Sequence, residues 1–89
     1  MMISIWKSDV AGMPIEYLPL MDYDEARIWF LEEGLVADSG EYPEEACPFY
    51  DDTEMEEDLI AISNGFVAHR SYDLVFPDGE QITLHIEGV

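Results

Sequence analysis

Positively charged side chains are scarce in this sequence. Lysine and arginine together number 3, against 21 aspartates and glutamates, which gives a formal net charge of -18 at pH 7. A protein that binds nucleic acid directly must replace the phosphate counterions with its own cations, and docking on an anionic membrane needs cations as well. The charge therefore excludes direct nucleic-acid binding and argues against a membrane surface as the ligand.

Cysteine pairs, long apolar runs and a targeting segment are also missing. The single cysteine, Cys47, cannot form an internal disulfide, which is typical of a reduced cytosolic protein. No apolar run reaches the length that spans a bilayer, and residues 1–7 become polar too soon for a signal peptide. These absences predict a cytoplasmic protein.

Apolar residues are plentiful despite the charge. Hydrophobic residues make up 48% of the chain and aromatic residues 12%, whereas a disordered acidic tail is poor in both. A length of 89 residues is enough for one small domain. We therefore expect a single domain over residues 1–89.

Two segments have the pattern of short amphipathic helices, and we predict helices over residues 22–36 and 51–64. Both contain a capping-box pair near the start and are followed by a glycine stop signal. The capping-box pairs are Asp22 with Glu25 and Thr53 with Glu56. The predicted apolar faces consist of Ala26, Trp29, Phe30 and Leu31 in the first helix and Met55, Leu59, Ile60 and Ile62 in the second.

Strands are predicted on both sides of the helices. Residues 2–7 alternate between apolar and polar side chains, and residues 15–18 form a possible edge strand in a proline-containing connection. Residues 66–76 and 80–87 are expected to pair as a hairpin around a Pro-Asp-Gly turn. The expected pairs are Phe76–Glu80, Leu74–Ile82, Tyr72–Leu84, Asp73–Thr83 and Ser71–His85. The sequence thus predicts an α+β fold, in which two short helices pack on a small antiparallel sheet made of the N-terminal strand and the C-terminal hairpin.

The acidic residues are concentrated in the middle of the chain. Between Asp22 and Asp58 there are 15 of them, with one cation, Arg27. A small domain needs a net charge of only about 2–8 for solubility, and self-repulsion destabilises a compact chain that carries more. We therefore interpret this segment as a binding surface for a strongly basic partner, with fast and salt-sensitive association.

Acids three or four residues apart on a helix lie roughly 5–6 Å from one another, which is the order of the spacing between phosphates along a nucleic-acid strand. A tyrosine suits an interface because one end of its ring is apolar and the other is polar. The predicted partner-binding residues are Glu32, Glu33, Glu41, Glu44, Glu45, Tyr50, Asp51, Asp52, Glu54, Glu57 and Asp58.

Metal and catalytic signatures are weak. The acidic run over residues 51–58 has no central glycine, which a calcium-binding loop of the EF-hand type needs. Cys47, His69 and His85 are too few and too scattered for a zinc site. The two histidines are expected near one another on one face of the hairpin, where they could act as a base for Cys47 or Ser71, although two polar strand residues are the simpler interpretation. We expect no cofactor, no metal and no enzymatic activity.

In its size, its single-domain build and the acidic stretch over residues 22–58, the chain resembles phage-encoded DNA-mimic inhibitors, including the small acidic anti-CRISPR and anti-restriction proteins. The resemblance implies a protein that occupies the nucleic-acid-binding channel of a bacterial defence complex. A monomer is expected, because a dimer would double an already large charge.

Three alternatives stay open. An immunity protein or antitoxin that neutralises a basic nuclease would use the same charges and add apolar anchors, for which Tyr42, Phe49 and Tyr50 are candidates. An accessory protein adapted to high salt would have acids spread over its whole surface. A small enzyme is the least favoured of the three.

Overall fold

A computed structural model of the chain describes residues 2–37 and 47–89. The chain order is strand β1 (Ile3–Ser8), strand β2 (Pro14–Tyr17), helix α1 (Tyr23–Glu32), helix α2 (Asp52–Ser63), strand β3 (His69–Val75) and strand β4 (Gln81–Gly88). The strands form one antiparallel sheet in the order β2-β1-β4-β3. Both helices pack on the same face of this sheet, which confirms the predicted α+β fold.

The predicted hairpin register is confirmed. Leu74 lies opposite Ile82 and Asp73 opposite Thr83, and the Phe76 N–H donates to the Glu80 carbonyl at 2.8 Å. The register is fixed because a shift of one residue would turn every large apolar side chain away from the core. β4 also pairs with β1, so the two ends of the chain meet at the centre of the sheet.

Strand β3 begins three residues later than predicted. The backbone N–H groups of Phe66 and Val67 donate to the carbonyl of Ala61, at 2.9 and 3.2 Å. These residues therefore finish the C-terminal end of α2 and cannot pair with β4.

Helix α1 also differs from its predicted length, because it ends at Glu32. Gly34 has a φ of 69°, and the Leu35 N–H donates to the Phe30 carbonyl at 3.1 Å. This is the hydrogen bonding of a Schellman motif, which reverses the chain after the helix. The reversal turns Leu35 and Val36 into the core. At the other end, the predicted capping box of Asp22 and Glu25 is confirmed.

The capping box predicted at Thr53 and Glu56 is wrong. The N-cap of α2 is Asp51, whose Oδ1 accepts from the Glu54 N–H at 2.8 Å. An aspartate two residues earlier already has the extended backbone and the short acceptor that a cap needs. Glu56 instead reaches Arg27 of α1, with 3.4 Å between the Arg27 Nε and the Glu56 Oε1.

The core lies between the helices and the sheet. Its buried side chains are Ile3, Ile5, Ala26, Phe30, Leu35, Val36, Phe49, Met55, Leu59, Ile62, Leu74, Ile82, Leu84 and Ile86. Ile60, which the sequence placed on the apolar face of the second helix, is 43% exposed and lies on the outer side of α2. The other face of the sheet carries neither helix.

Candidate functional site

A row of exposed side chains runs along the outer side of α2. Glu54 and Glu57 are exposed and three residues apart, so their Cβ atoms lie roughly 5–6 Å from one another. Ile60 continues the row by three more residues, and the exposed Tyr50 and Asp51 precede it. We call these five residues the α2 ridge.

The acids at the start of α2 also have a structural role. Asp51 caps the helix, and Asp52 and Glu54 lie in its first turn. Carboxylates are favoured there because the unpaired N–H groups and the helix dipole make a helix N-terminus positive. The fold thus offsets part of the repulsion that three clustered acids create.

Asp58 does not belong to this outer row. It is half-buried, and one of its oxygens accepts a hydrogen bond from the Tyr72 hydroxyl at 2.5 Å. Burial and this bond raise the pKa of Tyr72. The helical pattern predicts Asp58 on the side of α2 opposite the apolar stripe, with Glu54 and Glu57. That prediction is wrong, because the side chain turns inward to the sheet. Its position three residues after the buried Met55 is the signal that could have shown this.

The acids of α1 form a separate patch. The ion pair between Arg27 and Glu56 marks the side of α1 that faces α2. Glu32 is five residues after Arg27, which places it about 140° around the helix axis from that side. Glu33 is the C-cap residue and is exposed. The predicted acidic surface therefore divides between two helix faces.

The other predicted partner-binding acids, Glu41, Glu44 and Glu45, lie outside the described residues, as does Tyr42. The two remaining candidate anchors differ sharply. Tyr50 is 74% exposed, whereas Phe49 is 1% exposed and packs edge-on against Phe30 and Tyr72. Phe49 as a partner anchor is therefore wrong, because its ring fills the core.

Within residues 2–37 and 47–89, the α2 ridge has no cation paired with it. Lys7 lies 3.4 Å from Glu16 of β2, and Arg27 pairs with Glu56 between the helices. Burial and the Glu56 carboxylate raise the pKa of Tyr23, which lies beside that pair. Among the described residues the ridge carboxylates thus form no ion pair, and the third cation, Arg70, lies near Tyr72.

Aromatic and imidazole rings cross the open face of the sheet, one from each strand. Tyr17 stacks on Trp6 with 5.4 Å between centroids, and Trp6 stacks on His85 at 3.8 Å. The two histidines do lie together as expected, with 3.0 Å between the His69 Nε2 and the His85 Nδ1. Their centroids are 5.3 Å apart and their planes are inclined by 22°, so the two rings stack.

Sequence reasoning missed Ser8, which completes this arrangement. Its Oγ lies 2.9 Å from the His85 Nε2. The order of hydroxyl, imidazole and second imidazole is that of an activated nucleophile. Ser8 is only 1% exposed, however, so a substrate cannot reach its oxygen, and the bond to His85 gives the buried hydroxyl a partner. The pairing of β1 with β4 brings Ser8 to His85, and that pairing is not visible in either strand alone.

We expect this histidine pair to make the fold sensitive to mild acid. Burial and the adjacent His69 lower the pKa of His85, and the carboxylates of Glu87 and Asp73 only partly oppose this. A histidine with a lowered pKa in the folded chain stabilises the fold above its unfolded pKa of about 6.5 and loses that stabilisation as the pH falls. The free energy of unfolding should therefore decrease from about pH 7 to about pH 5.5.

Urea unfolding at constant ionic strength measures this decrease, with His85→Gln as the comparison. The free energy of unfolding of the variant should depend less on pH over the same interval, because residue 85 then has no imidazole to protonate. A decrease of the same size in both proteins would contradict the assignment to His85.

Comparison with protein-family models, with curated proteins and with solved structures finds no match to this chain. The described part of the chain also holds no group of three or more metal-ligating side chains. Neither of its helices is long and apolar enough to cross a membrane.

Proposed function

We propose that this protein binds the basic nucleic-acid-binding surface of another protein and blocks nucleic-acid binding there. The partner class is the one that the resemblance to DNA-mimic inhibitors implies, a bacterial defence complex in the cytoplasm. The protein acts by binding, as a monomer, and uses no cofactor.

The observation that carries the proposal is the α2 ridge. Glu54 and Glu57 lie at a phosphate-like spacing on one exposed helix face and form no ion pair among the described residues. Complementary charges of this kind raise association rates and suppress wrong partners. Tyr50 at the start of the ridge supplies an exposed aromatic ring, which a basic surface can contact through its arginines.

The opposite side of the molecule differs in chemistry. The open face of the sheet presents the rings of Tyr17, Trp6 and His85, which stack on one another. Among the described acids, only a minority lie on this face, Asp73 and Glu87 among them. A high-salt adaptation would need acids spread evenly over the surface. The observed asymmetry instead favours a binding surface on one side of the molecule.

The test begins with a pull-down from bacterial lysate at moderate salt, followed by a competition assay on the nuclease complex that is retained. A labelled DNA duplex is bound to that complex and displaced by increasing concentrations of the protein, with fluorescence anisotropy as the readout. We expect displacement by the unmodified chain. The variant Glu54→Lys/Glu57→Lys should displace the duplex at least about tenfold less well, because two favourable charges are lost and two repulsive charges are added at the contact.

The matched control is Asp73→Lys/Glu80→Lys, which makes the same change in net charge away from the ridge. Asp58 is left unchanged, since its bond to Tyr72 ties it to the fold. The control should displace the duplex nearly as well as the unmodified chain. If both variants lose the same amount of displacement, net charge alone explains the effect. If the ridge variant displaces the duplex fully, the α2 ridge does not take part in binding.

Neutralisation of a basic nuclease toxin is the second candidate, and the exposure of Tyr50 favours it. Such a complex concentrates its affinity in a few aromatic or arginine anchors. Tyr50→Ala should then abolish binding to one nuclease. A DNA mimic should instead lose less from this variant than from Glu54→Lys/Glu57→Lys.

A further inference from the structure

An apolar groove lies beside α1, on the side turned away from α2. Residues 19–21, which connect β2 to α1, form one wall, and Ile28 and Trp29 form the other. The groove encloses about 370 Å³. Leu20 is 54% exposed and Ile28 is 49% exposed, so these large apolar side chains gain little from the fold's own core.

Two glutamates stand at the rim of this groove. Glu25 and Glu32 both line it and are both exposed. They are seven residues apart on α1, so they project in nearly the same direction and lie about 10 Å apart along the helix axis. Glu25 also accepts from the Asp22 N–H at 3.1 Å, which fixes its position. The groove therefore has an apolar floor between two carboxylates.

Neither rim glutamate forms an ion pair among the described residues. The ion pairs within residues 2–37 and 47–89 join Lys7 to Glu16 and Arg27 to Glu56. Lys7 lies 5.9 Å from the centroid of the Trp29 ring, but its ammonium is already paired with Glu16. An occupant with positive charges would thus complement the rim, whereas a second copy of this acidic chain would meet its own charge.

We propose that the groove binds a basic amphipathic helix of the partner protein. Its apolar side chain would lie between Leu20 and Ile28, and its lysines or arginines would reach Glu25 and Glu32. A helix with cations at positions i and i+7 and an apolar residue at i+3 or i+4 has the same repeat of about 10 Å. The inference rests on the proposed function, since it takes the basic partner from there and adds an apolar contact.

The test uses a synthetic helical peptide of lysine, leucine and alanine, with lysines at i and i+7 and leucines at i+3 and i+4. A scrambled peptide of the same composition is the control. The protein is observed by ¹H–¹⁵N NMR through its two tryptophan side-chain N–H groups. Trp29 lines the groove, whereas Trp6 lies against His85 on the open face of the sheet.

We expect the patterned peptide to shift the Trp29 signal in a saturable way and to leave the Trp6 signal unchanged. The scrambled peptide should bind about tenfold more weakly or not at all. Equal shifts of both indoles, or equal binding of both peptides, would overturn the proposal because either result means attraction by net charge alone.

Matched variants sharpen the result. Ile28→Ser removes part of the apolar wall and should weaken peptide binding about tenfold, whereas Ile15→Ser, at a similarly exposed position of β2, should not change it. Glu32→Gln should weaken binding more than Glu80→Gln does, because Glu80 is exposed but lies outside the groove. Equal losses of peptide binding within either pair would overturn the proposal that the groove binds the peptide. A concentration-dependent dimer in sedimentation, lost in Ile28→Ser, would also overturn it, because the occupant would be a second copy.

The groove and the ridge can fail separately. Loss of duplex displacement in Glu54→Lys/Glu57→Lys, together with full peptide binding in Glu32→Gln and Ile28→Ser, would overturn the groove alone. Peptide binding that depends on Ile28, with full displacement by the ridge variant, would overturn the ridge while the groove stands.

Discussion

Replacing Phe49 by alanine is expected to destabilise the domain by about 3–5 kcal/mol, the usual cost of removing a buried phenylalanine. The ring is 1% exposed and lies 5.4 Å from the centroid of Phe30 and 5.0 Å from that of Tyr72. It thereby joins α1 to β3, and its removal leaves a cavity between them. A domain of this size has little stability in reserve, so much of the variant should be unfolded.

The next residue in the chain provides the control. Tyr50 is 74% exposed, and Tyr50→Ala should change the free energy of unfolding by no more than about 0.5 kcal/mol. Urea unfolding of both variants, followed by circular dichroism, gives the two values. A loss below about 1 kcal/mol for Phe49→Ala would contradict its place in the core.

The different burial of Phe49 and Tyr50 could not be predicted from the sequence. Both aromatics lie between acids and prolines, and no local period separates a core residue from an exposed one there. Phe49 is selected by a tertiary contact, since Val36 pairs with it as a short parallel bridge after the chain has reversed at Gly34. That contact joins segments with no regular pattern between them.

Features that depend on local rules were predictable. The hairpin register follows from the turn and from the alternation of Leu74, Ile82 and Leu84 with polar residues. The N-cap of α1 follows from the short aspartate side chain at Asp22 and the glutamate three residues on. In both cases the interacting groups are close in the chain, or a single turn between them determines which residues pair.

The sequence predicts which acids belong to the candidate site, but it does not predict how they divide between the two helices' surfaces. The sequence identified Glu54 and Glu57 as neighbours because helical spacing alone decides it. It could not separate Glu32 from them, because the packing of α1 against α2 through Arg27 and Glu56 turns that glutamate to another side. The groove beside α1 was missed for the same reason, since one of its walls is a connection without a periodic pattern.

Replacing Tyr72 by phenylalanine is expected to destabilise the domain by about 1.5 kcal/mol, the low end of the range for a hydrogen bond to a charged group. The hydroxyl donates to Asp58 at 2.5 Å, and without it the half-buried carboxylate must find water. The edge-on packing of the ring against Phe49 is retained in the variant. The loss should therefore report the hydroxyl alone, and Asp58→Asn, which keeps an acceptor, should cost less than Asp58→Ala.

The pH dependence of Tyr72→Phe distinguishes this bond from packing. Burial and the bond to Asp58 raise the pKa of Tyr72 above its unfolded value of 10.0. A group with a raised pKa stabilises the fold below its unfolded pKa, and that stabilisation is lost as the pH rises further. The unmodified chain should therefore lose stability more steeply than Tyr72→Phe above about pH 10. Parallel profiles in urea unfolding would show that the hydroxyl proton is not held by Asp58, and the inward position of that acid would then have to be explained by packing alone.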